Sequence, residues 1–181
     1  MSQEQLPIAN DVKEEAKKTP ATEGGIAADD KEKAVVAESS GGQDEGEVNQ
    51  KKPEGTITIG EALEAAVLTA GNKPVEWSDA AAIQAAEVRA TGKTNIMPGG
   101  VAASAQSAAT LNARANSEDD KTTLADVLTG ASSKLPSDKP ATRKDAEGVT
   151  GAEMRNDPHL TTYPTGVAAS VAAAARINQA K

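Results

Sequence analysis

The chain has 181 residues, a net charge of −8 and no cysteine, and alanine supplies most of its 38% hydrophobic content: 36 Ala against 32 Leu, Ile, Val, Met, Trp and Tyr together. Leu, Ile, Val and Phe number 27 of 181, about 15%, under the ~20% level associated with disorder, and one Trp, one Tyr and no Phe leave almost no aromatic packing. The acidic balance excludes a nucleic-acid partner, whose phosphates call for Lys and Arg, and the absence of cysteine excludes disulfides and thiol catalysis.

Residues 1–57 mix charges of both signs with Gly, Ser, Pro and Gln, and their apolar residues are isolated. They carry 7 Lys/Arg and 13 Asp/Glu. Such a stretch cannot repay its ordering entropy and reads as a disordered acidic arm. It shows no charged-then-apolar targeting pattern. The longest apolar run, near Val171–Ala175, is far short of the ~20 residues that span a bilayer. A soluble protein of the cytoplasm or nucleus is expected, without stable membrane insertion.

Thr58-Ile59-Gly60-Glu61 is a capping box, in which the hydroxyl takes the N3 amide and the Glu returns to the cap's own N–H. Ile59, Leu63, Ala66, Val67 and Ala70 follow at helical spacing, and Gly71-Asn72 ends the segment. Lys73-Pro74 is an extended break. Ser78-Asp79 opens a second helix to about Ala90, with Gly92 as its stop and Trp77 as a hydrophobic staple against Ala82. Asp79 and Arg89 suit the two ends of the helix dipole. A third helix, mostly Ala, starts after Gly100, and Asn116 ends the unit.

The same order then recurs. PGGVAASAQSAATLN (98–112) and PTGVAASVAAAARIN (164–178) share nine of fifteen positions at an offset of 66. Lys73-Pro74 matches Lys139-Pro140, and DAAAIQAAEVR (79–89) matches DAEGVTGAEMR (145–155). With one residue of slippage TIGEALEAA (58–66) matches TLADVLTGA (123–131), where Thr123-Leu124-Ala125-Asp126 repeats the box. The chain therefore divides into the arm 1–57, a first repeat 58–116, an acidic linker 117–122 and a second repeat 123–181. Leu135 to Lys139 is a Pro-punctuated connection inside the second repeat.

No constellation for chemistry emerges. His159, the lone histidine, sits in a break between helices with no nucleophile elbow to serve, and reads as a surface residue. Metal binding would need His/Cys clusters that the chain lacks. Glu118-Asp119-Asp120 lacks the spacing of a calcium loop and reads as a solvated charge run. Gly99-Gly100 precedes a helix, where amides can meet an anion, but no strand precedes it and no Lys-Ser/Thr follows. Glu87/Arg89 and Glu153/Arg155 stand two apart and do not face each other on a helix; they read as solubilising charges, with partner contact as the lesser alternative. No catalytic, cofactor-binding or metal site is expected, and no small-molecule substrate.

EALEAAVLTAGNKPVEWSDAAAIQAAEVRATG, PGGVAASAQSAA, TRKDAEGVTGAEMRNDP and PTGVAASVAAAARIN together resemble the seed maturation protein family of plant late embryogenesis abundant proteins, over roughly residues 56–181. The resemblance implies a protein that accumulates in maturing seeds or under water stress and is associated with desiccation tolerance. Longer members carry a further repeat towards the N-terminus, and residues 1–57 contain no recognisable counterpart of it. The family brings no catalytic residues.

The residues predict an all-α chain where ordered, with two tandem repeats of about three short Ala-rich helices each. Isolated Ala-rich segments of ~12 residues are marginal in water. Alanine burial at ~25 cal/mol per Å² scarcely offsets ~1–2 kcal/mol of backbone entropy per residue. The chain is thus expected to lack a sizeable core and to be largely disordered or marginally helical in water. Drying removes the solvent partners of exposed amides and favours helix. The expected function is non-enzymatic protection of cell components during drying, through non-specific clients or self-association. The alternative is a regulatory module whose helices fold onto a protein partner.

Overall fold

The protein is described by a computed structural model over residues 54–180, all of which fall within one compact unit. The expected acidic arm lies outside the described residues except for its last four positions, 54–57.

Among the described residues the regular structure is helical, with two isolated antiparallel bridges and no strands. The first repeat supplies α1 (Ile59–Ala70), α2 (Trp77–Thr91) and α3 (Val101–Asn112). A single 3-10 turn, Glu118–Asp120, lies between the repeats. The second supplies α4 (Leu124–Leu128), α5 (Ala131–Lys134), α6 (Arg143–Arg155) and α7 (Val167–Gln179). The capped segment from Thr123 ends just before Gly130, and a further short helix, α5, follows it. Gly130, at φ 71°, adopts the left-handed conformation that a side chain resists and turns the chain between them.

Most starts and stops follow local chemistry. At α1, Glu61 N–H donates to Thr58 Oγ1 at 3.2 Å and Thr58 N–H donates to Glu61 Oε2 at 2.8 Å, the full capping box. At α4, Asp126 accepts from the N–H and the hydroxyl of Thr123. Gly92 ends α2 at φ 71° and donates its N–H to Val88. The start of α2 differs from expectation. Its cap is Glu76, whose N–H donates to Asp79 Oδ2 at 2.9 Å, so Ser78 lies inside the helix. Trp77 is the first helical residue, 52% exposed, and is no staple. α3 ends at Asn112, four residues before Asn116.

The packing exchanges helices between the repeats. α1 packs against α7, α5 and α4, all from the second repeat, and α4 packs against α3 of the first. α2 lies along α6, while α2–α3 and α6–α7 pack within their own copies. Each repeat therefore contributes half of one shared core.

The expected lack of a sizeable core does not hold. Ile59, Leu63, Ile83, Val101, Leu124, Leu128, Val149, Val167 and Val171 are fully buried in one continuous cluster, filled in by alanines such as Ala62, Ala66, Ala86, Ala105 and Ala131. Whole-chain composition does not show that the few large apolar residues gather into one pooled core. Alanine also loses no side-chain entropy on burial, so its small area is offset against a smaller cost. Within the described residues the helices pack on one another as one unit.

Candidate functional site

The seam between the repeats concentrates the buried polar groups, and it is built twice from equivalent residues. Thr58 forms an antiparallel bridge with Pro140, and Pro74 forms one with Thr123. Around the first, Ile59 N–H donates to the Lys139 carbonyl and Ala141 N–H to the Ile57 carbonyl, both at 3.0 Å. Around the second, Leu124 N–H donates to Lys73 at 2.9 Å and Val75 N–H to Thr122 at 3.0 Å. The two Lys-Pro breaks are thus short extended pieces, each paired with the cap of the other repeat. The proline, which has no N–H, sits at the bridge position that needs none.

An asparagine closes each bridge. Asn112 donates through Nδ2 to the carbonyls of Val75 at 3.0 Å and Thr122 at 2.7 Å, and its Oδ1 accepts from Thr122 N–H at 2.8 Å. Asn178 does the same with Ala141 at 2.9 Å and Ile57, which it meets at 2.8 Å in both directions. A primary amide, with two donors and an acceptor, is the side chain that satisfies such a set. Ile57, assigned from sequence to the arm, is partly buried here and packs against the core.

Below each bridge lies an ion pair six residues long in sequence. Lys73 meets Asp79 and Lys139 meets Asp145, both at 2.5 Å. The twins differ in their surroundings. Asp145 also accepts from the Thr142 hydroxyl at 2.7 Å; although burial pushes its carboxyl up, the bonds from Lys139 and Thr142 hold it below the usual range. Asp79 has Glu76 in place of that threonine. It is 1% exposed, its Oδ1 has no donor, and burial pushes its carboxyl up. Burial acts to lower Lys73, but its bonds to Asp79 and Glu76 prevail and raise it; its Nζ also lies 5.4 Å from the centre of the Tyr163 ring.

The glutamates read from sequence as solubilising charges are internal. Glu87 and Glu153 are 4% and 1% exposed. Glu87 accepts from Ala102 N–H at 2.8 Å, and Glu153 accepts from Ala168 N–H at 2.9 Å and Tyr163 N–H at 2.8 Å. Each carboxylate therefore caps the start of the last helix of its own repeat, α3 or α7, a position where both free amides and the helix dipole favour a negative charge. Burial nonetheless pushes the Glu153 carboxyl up. Gly100 explains the Pro-x-Gly motif: a Cβ there would stand 3.0 and 3.1 Å from the Glu87 oxygens. The anion at this helix start is the chain's own Glu87, met by the Ala102 amide, while the Gly100 N–H donates to the Met97 carbonyl.

The other candidates stay apart from this network. His159 is exposed in the turn after α6, with its backbone N–H on Asp157 Oδ1 at 2.9 Å. It borders a hollow of about 580 Å³ together with Trp77 and Lys121. Glu118, Asp119 and Asp120 are exposed in the 3-10 turn, and Lys121 pairs with Glu118. Among the described residues no group of three or more His, Cys, Asp or Glu is placed to hold a metal ion, and no helix is long and apolar enough to cross a membrane. The seam holds the two repeats together. One sequence signal for it was available: Glu87/Glu153 and Asn112/Asn178 recur unchanged at the offset of 66.

The comparisons with known proteins identify the family. The family model described as seed maturation protein matches residues 57–115 and 122–181. The chain is 83% identical to late embryogenesis abundant protein 47 of Arabidopsis thaliana over the whole of both. It is 63% identical to late embryogenesis abundant protein 31 of the same plant, over 75% of this chain and 52% of that protein. Against late embryogenesis abundant protein D-34 of Gossypium hirsutum the identity is 55%, over 80% of this chain and 59% of that one. No solved structure matches. The chain belongs to the seed maturation protein family of late embryogenesis abundant proteins.

Proposed function

We propose that the protein gives non-enzymatic protection to other cell components during seed maturation drying and water stress, and that it does so in the helical state of its two repeats. The closed helix starts carry this reading. A helix leaves its first amides without internal partners, and an unpaired amide deprived of water costs roughly 2–7 kcal/mol. At α1 the amides of Ile59, Gly60 and Glu61 go to Lys139 O, the Asp138 carboxylate and Thr58 Oγ1. At α4 the amides of Leu124 and Ala125 go to the carbonyls of Lys73 and Gly71. At α3 and α7 the buried glutamates take one each.

A backbone satisfied by its own chain loses little when water leaves, whereas an unwound chain loses its solvent partners. Drying therefore moves any unwound fraction into the helical unit, which persists as a polar, acidic body between neighbouring proteins. The clients on this reading are non-specific proteins crowded together by water loss in the cytoplasm or nucleus. The names of the family and of its relatives, seed maturation and late embryogenesis abundant, support the same setting.

The test is a drying assay. Ala105 and Ala172 lie inside α3 and α7, and a proline in a helix interior costs about 3 kcal/mol. A desiccation-sensitive enzyme is dried and rehydrated with the parent protein, with the variant carrying Ala105→Pro and Ala172→Pro, or with albumin at equal mass. Recovery with the double variant is expected to fall to the albumin level. Recovery equal to the parent's would sink the reading and leave a bulk hydration effect of an acidic chain as the account.

A further inference from the structure

We propose that two copies of this chain exchange repeats, the first repeat of one closing on the second repeat of another through the same seam that closes the monomer. The proposal does not rest on the protective reading. It rests on three observations about connectivity.

First, neither repeat buries its first helix by itself. α1 packs chiefly on α7, α5 and α4, and α4 packs on α3, so the first helix of each repeat is lodged in the other. A repeat separated from its complement exposes Ile59 and Leu63, or Leu124 and Leu128, all of them fully buried in the closed unit. A complement must be found, but nothing in the contacts requires that it come from the same chain.

Second, the polar seam names its complement. The bridges Thr58–Pro140 and Pro74–Thr123 and the asparagine clamps on Ile57 and Thr122 all join residues of opposite repeats. Two contacts go further and have no equivalent at α4: Gly60 N–H donates to the Asp138 carboxylate, and Glu64 accepts from the N–H and hydroxyl of Ser132 at 3.0 and 2.6 Å. At the offset of 66, Asp138 corresponds to Asn72. The set therefore favours first repeat with second repeat over first with first. Every bond broken on opening is re-formed in the exchanged pair.

Third, the connection is separable from the core. Residues 113–120 are exposed apart from half-buried Ala115, and no core residue lies between Asn112 and Leu124. At ~3.3 Å per residue this stretch reaches about 30 Å when extended, enough to part the repeats without unwinding α3 or α4. Exchange between identical protomers at such a hinge makes dimers at low energetic cost, and open-ended exchange links chains in series.

Concentration decides between the two closures. Joined by a short linker, the repeats see each other at an effective concentration on the order of millimolar. Well below that the closed monomer prevails; at and beyond it, as when water is withdrawn, neighbours compete for the same seam.

Because the chain has no cysteine, single cysteines report the pairing cleanly. Thr58 and Pro140 form a bridge flanked, not spanned, by its hydrogen bonds, the arrangement that brings Cα atoms to about 4.5 Å and suits a disulfide. Full-length Thr58→Cys chains are mixed with isotopically heavy Pro140→Cys chains, dried, rehydrated and mildly oxidised. Heavy–light disulfide dimers are then counted by mass spectrometry against a Thr58→Cys and Thr94→Cys control mixture. The expected result is an excess of about tenfold over the control after drying, and no excess in the same mixture held at micromolar concentration, far below the effective one. Pro74→Cys with Thr123→Cys repeats the measurement at the second bridge, so damage to one cap does not decide the outcome. An excess at either bridge supports exchange; no excess at both overturns it.

Discussion

Asn178, in the last turn of α7, holds Ile57 by both ends of its side-chain amide, 121 residues away in sequence. The same side chain reaches Ala141, so one residue ties the entrance of the first repeat to the Lys-Pro break of the second. Asn112 performs the equivalent task at Val75 and Thr122. The two repeats are thereby one cooperative body, with a clamp at each of its two equivalent edges.

Removal of a clamp should be costly. Asn112→Ala leaves the Val75 carbonyl and both backbone groups of Thr122 without this partner, and an unsatisfied buried group costs about 1–3 kcal/mol. We expect Asn112→Ala to lower the unfolding free energy by about 2–3 kcal/mol and Asn178→Ala to cost a similar amount, read from urea titrations of the helical circular dichroism. Asn112→Asp should also destabilise, since a carboxylate cannot donate to the two carbonyls. A loss below ~0.5 kcal/mol, the scale of an ordinary surface substitution, would mean that the clamp contributes nothing.

Glu153 gives the second expectation. Its carboxylate takes two backbone amides at the start of α7. Glu153→Ala should destabilise by about 2–4 kcal/mol, and Glu153→Gln should recover part of this, since one amide oxygen still accepts. A surface charge would give near-zero effects for both. Thermal unfolding of the two variants beside Lys93→Ala, at an exposed position, separates these cases.

The sequence carried the repeat, the capping boxes at Thr58 and Thr123 and the left-handed stop at Gly92, because each is written in neighbouring residues. It did not disclose which helices meet. The period of an apolar stripe says that Leu63 is covered, and says nothing about whether α2 or α7 covers it. Glu87 and Glu153 were hidden for a related reason. An acid on an Ala-rich helix looks solvated until the loop that follows folds its amides back onto it.

The twin ion pairs differ by one hydroxyl, and that difference predicts a gain. Thr142 donates to Asp145, whereas Glu76 stands at the equivalent position beside Asp79, whose Oδ1 has no donor. Glu76→Thr should add a hydroxyl bond to Asp79 Oδ2, as Thr142 does at Asp145 Oδ2, and raise stability by about 0.5–1 kcal/mol. The Lys73–Glu76 contact given up is exposed on the glutamate side, where such pairs contribute little. The pH dependence should change with it. Asp79, raised in the folded state, contributes stability that is present below the unfolded value of ~3.9 and lost as pH rises through its folded value. Asp145, lowered, contributes stability that is present above ~3.9 and lost as pH falls through its folded value. Glu76→Thr should therefore add more stability at pH 7 than at pH 4, and Asp145→Asn should flatten the loss below pH ~4. Urea midpoints across this range, unchanged in slope between parent and variants, would remove the basis for both statements.

Two glycines should answer alanine with opposite signs. Gly60 lies where α1 meets α5: a Cβ there would stand 2.7 Å from the Ser132 Cα and 2.5 Å from Asp138 Oδ2. The first of these is backbone, so the helices must separate, and Gly60→Ala should cost about 1–3 kcal/mol through overpacking. It would also strain the bonds that Asp138 makes to the Gly60 amide. Gly151 lies inside α6, where a Cβ would meet only the Arg155 guanidinium, at 2.9 Å. That group is the far end of a flexible side chain and swings aside at little cost. Gly151→Ala should therefore gain most of the ~1 kcal/mol by which alanine exceeds glycine in a helix interior. Equilibrium unfolding of both variants decides the matter, because helix propensity by itself favours alanine at both positions. Stabilisation at Gly60 as well as Gly151 would show that the close approach of α1 to α5 does not constrain the fold.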